Sequence, residues 1–217
     1  MADDGVHQGV GLVLPAPGKA LLGPATGGGP ALDVPTTGLR RFEAWLAHRA
    51  LEHPEAQVTT DGPLTVIRWD GGGARCESFP HDLIGLVLIR RGGYAVGLAR
   101  GGALEESKAG RRHVQSRTAA GGWSQQRFAR RRENQADALV DAVVGHVERL
   151  LVRGAGGIPD ALVTGGDRKL VAAVLADPRC RALAELPRRE LPDLPDPDAK
   201  VLAEAQRQGR AVWVRPL

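Results

Sequence analysis

Two neutral glutamines sit inside the most basic stretch of this chain. From Lys108 to Arg132 the sequence holds eight cationic side chains, Lys108, Arg111, Arg112, Arg117, Arg127, Arg130, Arg131 and Arg132, and no aspartate or glutamate. Forked guanidinium groups without compensating acid suit an anionic partner, and phosphate rewards that geometry best. In the middle of the stretch lies Ala119-Ala120-Gly121-Gly122, followed by Trp123-Ser124-Gln125-Gln126. A glycine pair lets backbone pass close to a ligand, so Gly121 and Gly122 would carry the glutamines to the tip of a basic loop.

The element that must position this tip follows it directly. Phe128, Leu139, Val140, Val143, Val144, Val147, Leu150 and Leu151 recur at the three- and four-residue steps of one helical face. Arg127, Arg130, Arg131 and Asn134 fall largely on the other side. Ser124 is placed as N-cap, so the free N–H groups and positive dipole of the helix start would face a phosphate or a developing oxyanion. An Arg-rich, solvated helix face after an ordinary glycine turn is the simpler reading of the charges alone. The coincidence of acid-free sequence, Gly-Gly, amides and helix start favours a functional site.

The run Gly121-Gly122-Trp123-Ser124-Gln125-Gln126-Arg127-Phe128-Ala129-Arg130-Arg131-Arg132 resembles the peptidyl-tRNA hydrolysis loop of eukaryotic and archaeal class I peptide-chain release factors. There Gly-Gly-Gln is followed by Ser, two variable residues and Arg-Phe-Ala-Arg. The resemblance covers the loop and opening helix well, and Leu83–Leu175 more weakly. In the ungapped register Trp123 occupies the family's glutamine position. That shift is similar to the release-factor-like ribosome-rescue branch, which is related to the ankyrin and zinc-finger stress-surveillance proteins. Its motif loosens to Gly-x-x-Gln, and Gly122-Trp123-Ser124-Gln125 satisfies it. Gln125 is thus the expected counterpart, with Gln126 the alternative.

The resemblance implies a peptidyl-tRNA hydrolase acting at the large ribosomal subunit, a hydrolase that cleaves the ester between peptide and terminal tRNA adenosine. Glutamine neither ionises nor attacks an ester, so it is no general base. Its amide and backbone N–H can hold a water in line with the carbonyl and stabilise the oxyanion. By the same resemblance Gly121, Gly122, Ser124, Gln125 and Gln126 form the catalytic tip. Arg111, Arg112, Arg117, Trp123, Arg127, Arg130, Arg131 and Arg132 would bind rRNA and tRNA. No cofactor or metal is needed. The family's stop-codon-reading and partner-binding domains find no counterpart, which favours codon-independent rescue of stalled peptidyl-tRNA over termination.

Other chemistries fit less well. Two-metal nuclease chemistry needs converging carboxylates, and Glu105, Glu106 and Asp167 are the loosest of candidates. A Ser-His-Asp arrangement would join Ser124 to His113 or His146, without a nucleophile elbow. Val163-Thr164-Gly165-Gly166-Asp167 lacks the spacing of a phosphate loop and reads as a strand-to-helix turn. His81, after Pro80, reads as a loop surface residue. Two readings other than a peptidyl-tRNA hydrolase remain beside the first: a non-catalytic rRNA- or tRNA-binding factor, and a tRNA 3′-end nuclease.

Composition supports a cytoplasmic protein. The chain has 217 residues, 29 Lys+Arg against 25 Asp+Glu and a net charge of +4. The sequence pI is about 9.6, and the basic residues concentrate in one loop and helix. Cys76 and Cys180 are lone thiols without a CxxC partner, which fits a reducing compartment. No apolar run approaches a membrane span, and no signal peptide is legible. A monomer is expected, with no membrane partner.

Patterning predicts an α/β fold with a mixed sheet and flanking helices, preceded by a helix and a small β meander. Residues 1–33 form a Gly/Pro-rich extension, residues 34–82 the helix and meander, and residues 83–217 the catalytic α/β domain. Thr37 would cap a helix over Leu39–Leu51, and Gln57–Thr60, Leu64–Trp69 and Ala74–Phe79 would make the meander. Leu86–Ile89, Tyr94–Ala99 and Ala103–Lys108 are expected as hairpin strands, then Ala161–Thr164. Asp167 and Asp198 are placed as helix caps, and Leu183–Leu191 and Ala211–Val214 as the closing strands. The order resembles the ribonuclease-H-like middle domain of the same release factors.

Overall fold

The most apolar run of the chain becomes the centre of its larger sheet. Seven of the eight residues of Leu83–Arg90 are buried, as a strand covered on both faces requires. A computed structural model of the protein describes residues 36–37, 39–111, 124–191 and 193–217, with residues 36–37, 39–41, 43–44 and 124–133 given by their backbone alone. In order the elements are Thr36–Thr37 (β1), Leu39–Glu52 (α1), Gln57–Asp61 (β2), Leu64–Trp69 (β3), Gly72–Glu77 (β4), Leu83–Arg90 (β5), Gly93–Arg100 (β6) and Ala103–Arg111 (β7). Ser124–Val147 (α2) continues as one π-helical turn over Glu148–Val152. Then come Ala161–Gly166 (β8), Arg168–Ala176 (α3), a 3-10 segment at Pro178–Leu183, Arg188–Leu191 (β9), Ala199–Arg210 (α4) and Val212–Pro216 (β10).

The expected mixed sheet is present, in the order β7-β6-β5-β8-β9. Short glycine turns make β5, β6 and β7 antiparallel hairpins, whereas α2 and α3 carry the chain across to β8 and β9, which run parallel to β5. One face packs Val87, Ile89, Val96 and Leu98 on Leu139, Val143, Val144 and Val147 of α2 and on α3. The other packs Leu86, Leu88, Ala95 and Val163 on Leu202 and Ala205 of α4. Both expected caps hold: Asp167 accepts from the N–H groups of Lys169 and Leu170, and Asp198 from that of Val201.

Two closing strands differ from the sequence reading. Only Arg188–Leu191 of the Leu183–Leu191 segment is a strand. Asp177 accepts from the N–H of Arg179 and starts the 3-10 turn, which buries Cys180 and Leu183. The final strand, expected to close the main sheet, instead enters a second sheet of order β1-β10-β4-β3-β2. There Val212 and Val214 join Phe42, Ile67, Ala74 and Cys76 in a small core beneath α1. Its neighbour Trp213 turns the opposite way, onto Arg189 of β9.

Arg189 holds the two sheets together. It is 3% exposed, and its guanidinium lies 4.9 Å from the Phe79 ring centroid and 4.5 Å from that of Trp213. It donates to the carbonyls of Gly209, Ala211 and Glu77 at 3.2, 2.5 and 3.1 Å. Burial pulls its pKa down to about 10, partly offset by the Glu77 carboxylate 3.8 Å away. Both cysteines are buried and free, and burial raises each thiol to about 11.

Candidate functional site at one end of the main sheet

Strand register places the basic loop. Arg111 pairs with Gly93, Gly93 with Arg90, and Ile89, the residue before Arg90, with Gly166. Gly165 in turn pairs with Leu191. The chain therefore leaves β7 toward the glutamine tip at the sheet end where the parallel strands β5, β8 and β9 finish. In an open α/β sheet this carboxyl end, where crossover loops converge, is where ligands bind.

A cleft of ≈490 Å³ opens there, lined by Arg90, Arg91, Gly92, Gly166, Asp167 and Asp196. Arg90 donates to the carbonyl of Leu194 at 2.6 Å, and Arg168 pairs with Glu190. Asp167 is occupied in capping α3. Exposed Arg91 forms no ion pair among the described residues. Gly166 has φ 97°, which only glycine adopts without strain, and so lets the strand turn tightly into α3.

The predicted site residues divide into three groups. Arg111 ends β7, exposed, with its guanidinium 3.1 Å from Asp198. The N–H of Val201 and then Arg111 hold the Asp198 carboxyl below the usual carboxylate range. Arg112, Arg117, Gly121, Gly122 and Trp123 lie outside the described residues, as does His113; so does Val114–Gly122, expected as an exposed tract. Ser124, Gln125, Gln126, Arg127, Arg130, Arg131 and Arg132 form the first turns of α2, described as backbone. Ser124 is already inside the helix, one place further in than the cap position expected for it. Ser124, Gln125 and Gln126 therefore all have N–H groups without an intrahelical acceptor.

Two of the competing arrangements lose their geometry, whereas a pairing of Ser124 with His113 falls outside the described residues. His146 is on the same helix as Ser124, 22 positions along, which at 1.5 Å per residue is about 33 Å away. The histidine instead contacts Tyr94, 2.8 Å from its phenolic oxygen. Glu105 pairs with Arg100 at 2.8 Å near the start of β7, at the sheet end opposite Asp167. Among the described residues no three His, Cys, Asp or Glu side chains are grouped to hold a metal ion. Nor is any described helix long and apolar enough to cross a membrane.

Sequence reasoning missed the pairing of Tyr94 with His146, and missed Arg189. The first two are ordinary residues of a strand and a helix whose meeting depends on the crossover. Arg189 was legible in principle: in Arg188-Arg189-Glu190-Leu191 it alternates in phase with buried Leu191.

A basic segment thus runs from the end of β7, at the carboxyl end of the parallel strands, to the start of α2, which is about 33 Å along the helix from the His146–Tyr94 contact at that sheet end. Residues 82–215 match the family model described as Actinobacteria/chloroflexi VLRF1 release factor. None of the curated proteins compared matches the chain. The family match spans well over half of the sequence and includes the whole of the main sheet, and the chain belongs to the Actinobacteria/chloroflexi VLRF1 release factor family.

Proposed function

We propose that this protein is a codon-independent peptidyl-tRNA hydrolase that frees the nascent peptide on stalled large ribosomal subunits. The observation that carries the reading is the place of Gly122-Trp123-Ser124-Gln125. It joins the end of β7 to the start of α2, inside an acid-free run of arginines, in a release-factor family. We read the main sheet as ribonuclease-H-like. Its order β7-β6-β5-β8-β9, with β6 alone antiparallel to the rest, supports that reading.

The loop enters the peptidyl-transferase centre, where Gly121 and Gly122, having no side chains, let the backbone fit. Gln125 positions a water against the ester carbonyl, and Gln126 is the alternative. The free N–H groups at the start of α2 stabilise the oxyanion as the tetrahedral intermediate forms. The water's proton departs and the ribose 3′ oxygen leaves protonated, giving free peptide and intact tRNA. Arg111, Arg112, Arg117, Arg127, Arg130, Arg131 and Arg132 neutralise rRNA and tRNA phosphates, and Trp123 stacks on a base. This chemistry uses neither metal nor cofactor, and the protein acts as a cytoplasmic monomer.

Product analysis on stalled peptidyl-tRNA bound to large subunits tests the reading. Free peptide with intact tRNA is the expected result. Shortened tRNA would make the protein a 3′-end nuclease, and binding without any product would make it an adaptor.

A further inference from the structure

The small sheet has a face that the release-factor site does not use. Its inner face is covered by α1 through Phe42, Trp45 and Leu46. Cross-strand partners share a face in an antiparallel sheet, so the register assigns the outer one. Arg75 pairs with Arg215 on one side and with Val66 on the other. Arg68 pairs with Gly73, two residues before Arg75, and with Gln57. Three exposed arginines therefore form one patch across β3, β4 and β10.

None of the three has an ion pair or a hydrogen-bond partner among the described residues. Arg215 does have an aromatic neighbour, lying 6.0 Å from the Trp213 ring centroid. Of the acids on this face, Glu77, two residues along β4 from Arg75, turns to Arg189 at 3.8 Å, and Asp61 ends β2 opposite Leu64. Like charges directly opposite on neighbouring strands destabilise a sheet. Arg75 opposite Arg215, with the neighbouring Glu77 turned to Arg189, is an arrangement that an anionic partner relieves.

We propose that the outer face of the β1-β10-β4-β3-β2 sheet is a second RNA-binding surface, with Arg68, Arg75 and Arg215 contacting the phosphate backbone of structured RNA. Gln57 and Thr59, at the margin of the same face, have the side chains to meet ribose hydroxyls. The patch stands apart from the glutamine loop. The chain passes from β4 into the start of β5, and β7 leads to the loop at the end where this eight-residue strand, ~26 Å long, finishes. Two separated contacts fix the orientation of a ribosomal protein on RNA better than one. Most of the surface comes from β2, β3 and β4, which precede the region of the family match. The choice of RNA as polyanion rests on the release-factor reading; the surface itself does not.

The test uses the full chain with Arg68→Gln, Arg75→Gln and Arg215→Gln combined, and a labelled RNA duplex of about 16 base pairs as probe. Between roughly 50 and 200 mM salt, the triple variant is expected to bind at least about tenfold more weakly, with a log–log salt slope shallower by about two to three. Its thermal midpoint stays equal to the parent's or rises, because the repulsion between Arg75 and Arg215 is gone. If the triple variant fails to fold, Arg75→Gln alone should shift the slope by about one. Unchanged affinity and slope overturn the proposal. So does an unchanged RNA slope with lost binding to phosphatidylserine vesicles or to polyglutamate, which would make the partner a membrane or an acidic protein. The Gln125→Ala/Gln126→Ala chain, assayed alongside, should bind the duplex as the parent does. Intact peptide release with an unchanged slope sinks the surface alone, and absent release with a changed slope sinks the hydrolase reading alone.

Discussion

The phenolic oxygen of Tyr94 lies 2.8 Å from Nε2 of His146, with the two rings 5.1 Å apart and 22° from parallel. This contact ties the start of β6 to the end of α2. A Cβ at Gly110, the cross-strand partner of Tyr94, would fall 2.6 Å from the same ring. Gly110 is the penultimate residue of β7, so both elements that bracket the glutamine loop close on one aromatic ring.

Gly110→Ala should therefore destabilise the protein by about 1–3 kcal/mol, the usual cost of forcing a side chain into a filled site. Tyr94→Ala removes the obstacle. The double variant should be less destabilised than the sum of the two single changes, because the residues touch. Urea unfolding of the four chains decides it. Additive losses would mean that β7 yields at Gly110 without meeting the ring.

His146 also sets a pH dependence. Burial, then Arg149 and Lys108, hold its pKa below the usual histidine value. Folding thus favours the neutral ring, whose Nε2 shares a hydrogen bond with the Tyr94 hydroxyl. The unfolded chain, with a histidine pKa of about 6.5, binds the proton more readily. Stability is then flat above that pH and falls as pH drops below it. His81 is lowered too, chiefly by burial, so His146→Asn should flatten the acid side of the stability profile in part. A profile identical to the parent's would mean that the His146 proton is not linked to folding.

The inter-sheet arginine offers a test of cooperativity. Arg189→Ala would leave the carbonyls of Gly209, Ala211 and Glu77 without their donor and would open the space between Phe79 and Trp213. A loss on the order of 3 kcal/mol is expected. Because the guanidinium is shared by β9 of one sheet and the β4/β10 pair of the other, the variant's calorimetric transition should broaden or split. A single sharp transition at an unchanged temperature would mean that the sheets are held by other contacts.

These relationships explain what the sequence could and could not reveal. Leu83–Arg90 was legible because a strand buried on both faces is a continuous apolar run. Asp167 and Asp198 were legible because capping is local: each carboxylate bonds N–H groups two or three residues on. The face of α2 was legible because Leu139, Val143 and Val147 repeat at its own period. The destination of Val212–Pro216 was not, since alternation marks a strand without naming its partner. Tyr94 and His146 are 52 positions apart, and only the crossover through α2 brings them together. The glutamine tip rests on residue types and their resemblance alone, since Gly121, Gly122 and Trp123 lie outside the described residues.

The arginines at the start of α2 should act on RNA affinity and not on folding. Arg130→Ala, Arg131→Ala and Arg132→Ala together should weaken binding to large subunits or tRNA, with a shallower salt slope. The thermal midpoint should stay nearly unchanged, since the buried side chains described on α2 begin at Leu139. Filter binding over a salt series would show it. Equal slopes would mean that these arginines only solvate the helix.

The last prediction separates two adjacent residues. The Gly-x-x-Gln register selects Gln125. The helix start does not distinguish it from Gln126, since both are within the first turn of α2 and both retain a free N–H. Direction does distinguish them: successive helical residues are turned by about 100°, so only one of the two side chains can face the ester. Gln125→Ala should therefore abolish peptide release without lowering subunit binding, and Gln126→Ala should keep a good part of the activity. Single-turnover release from stalled subunits measures both. An inactive Gln126→Ala beside an active Gln125→Ala would move the register by one residue and leave the hydrolase reading standing. Normal release by both single variants and by the double variant would remove glutamine from the mechanism, leaving the backbone N–H groups of Ser124, Gln125 and Gln126 as the polar groups of the helix start that face the ester.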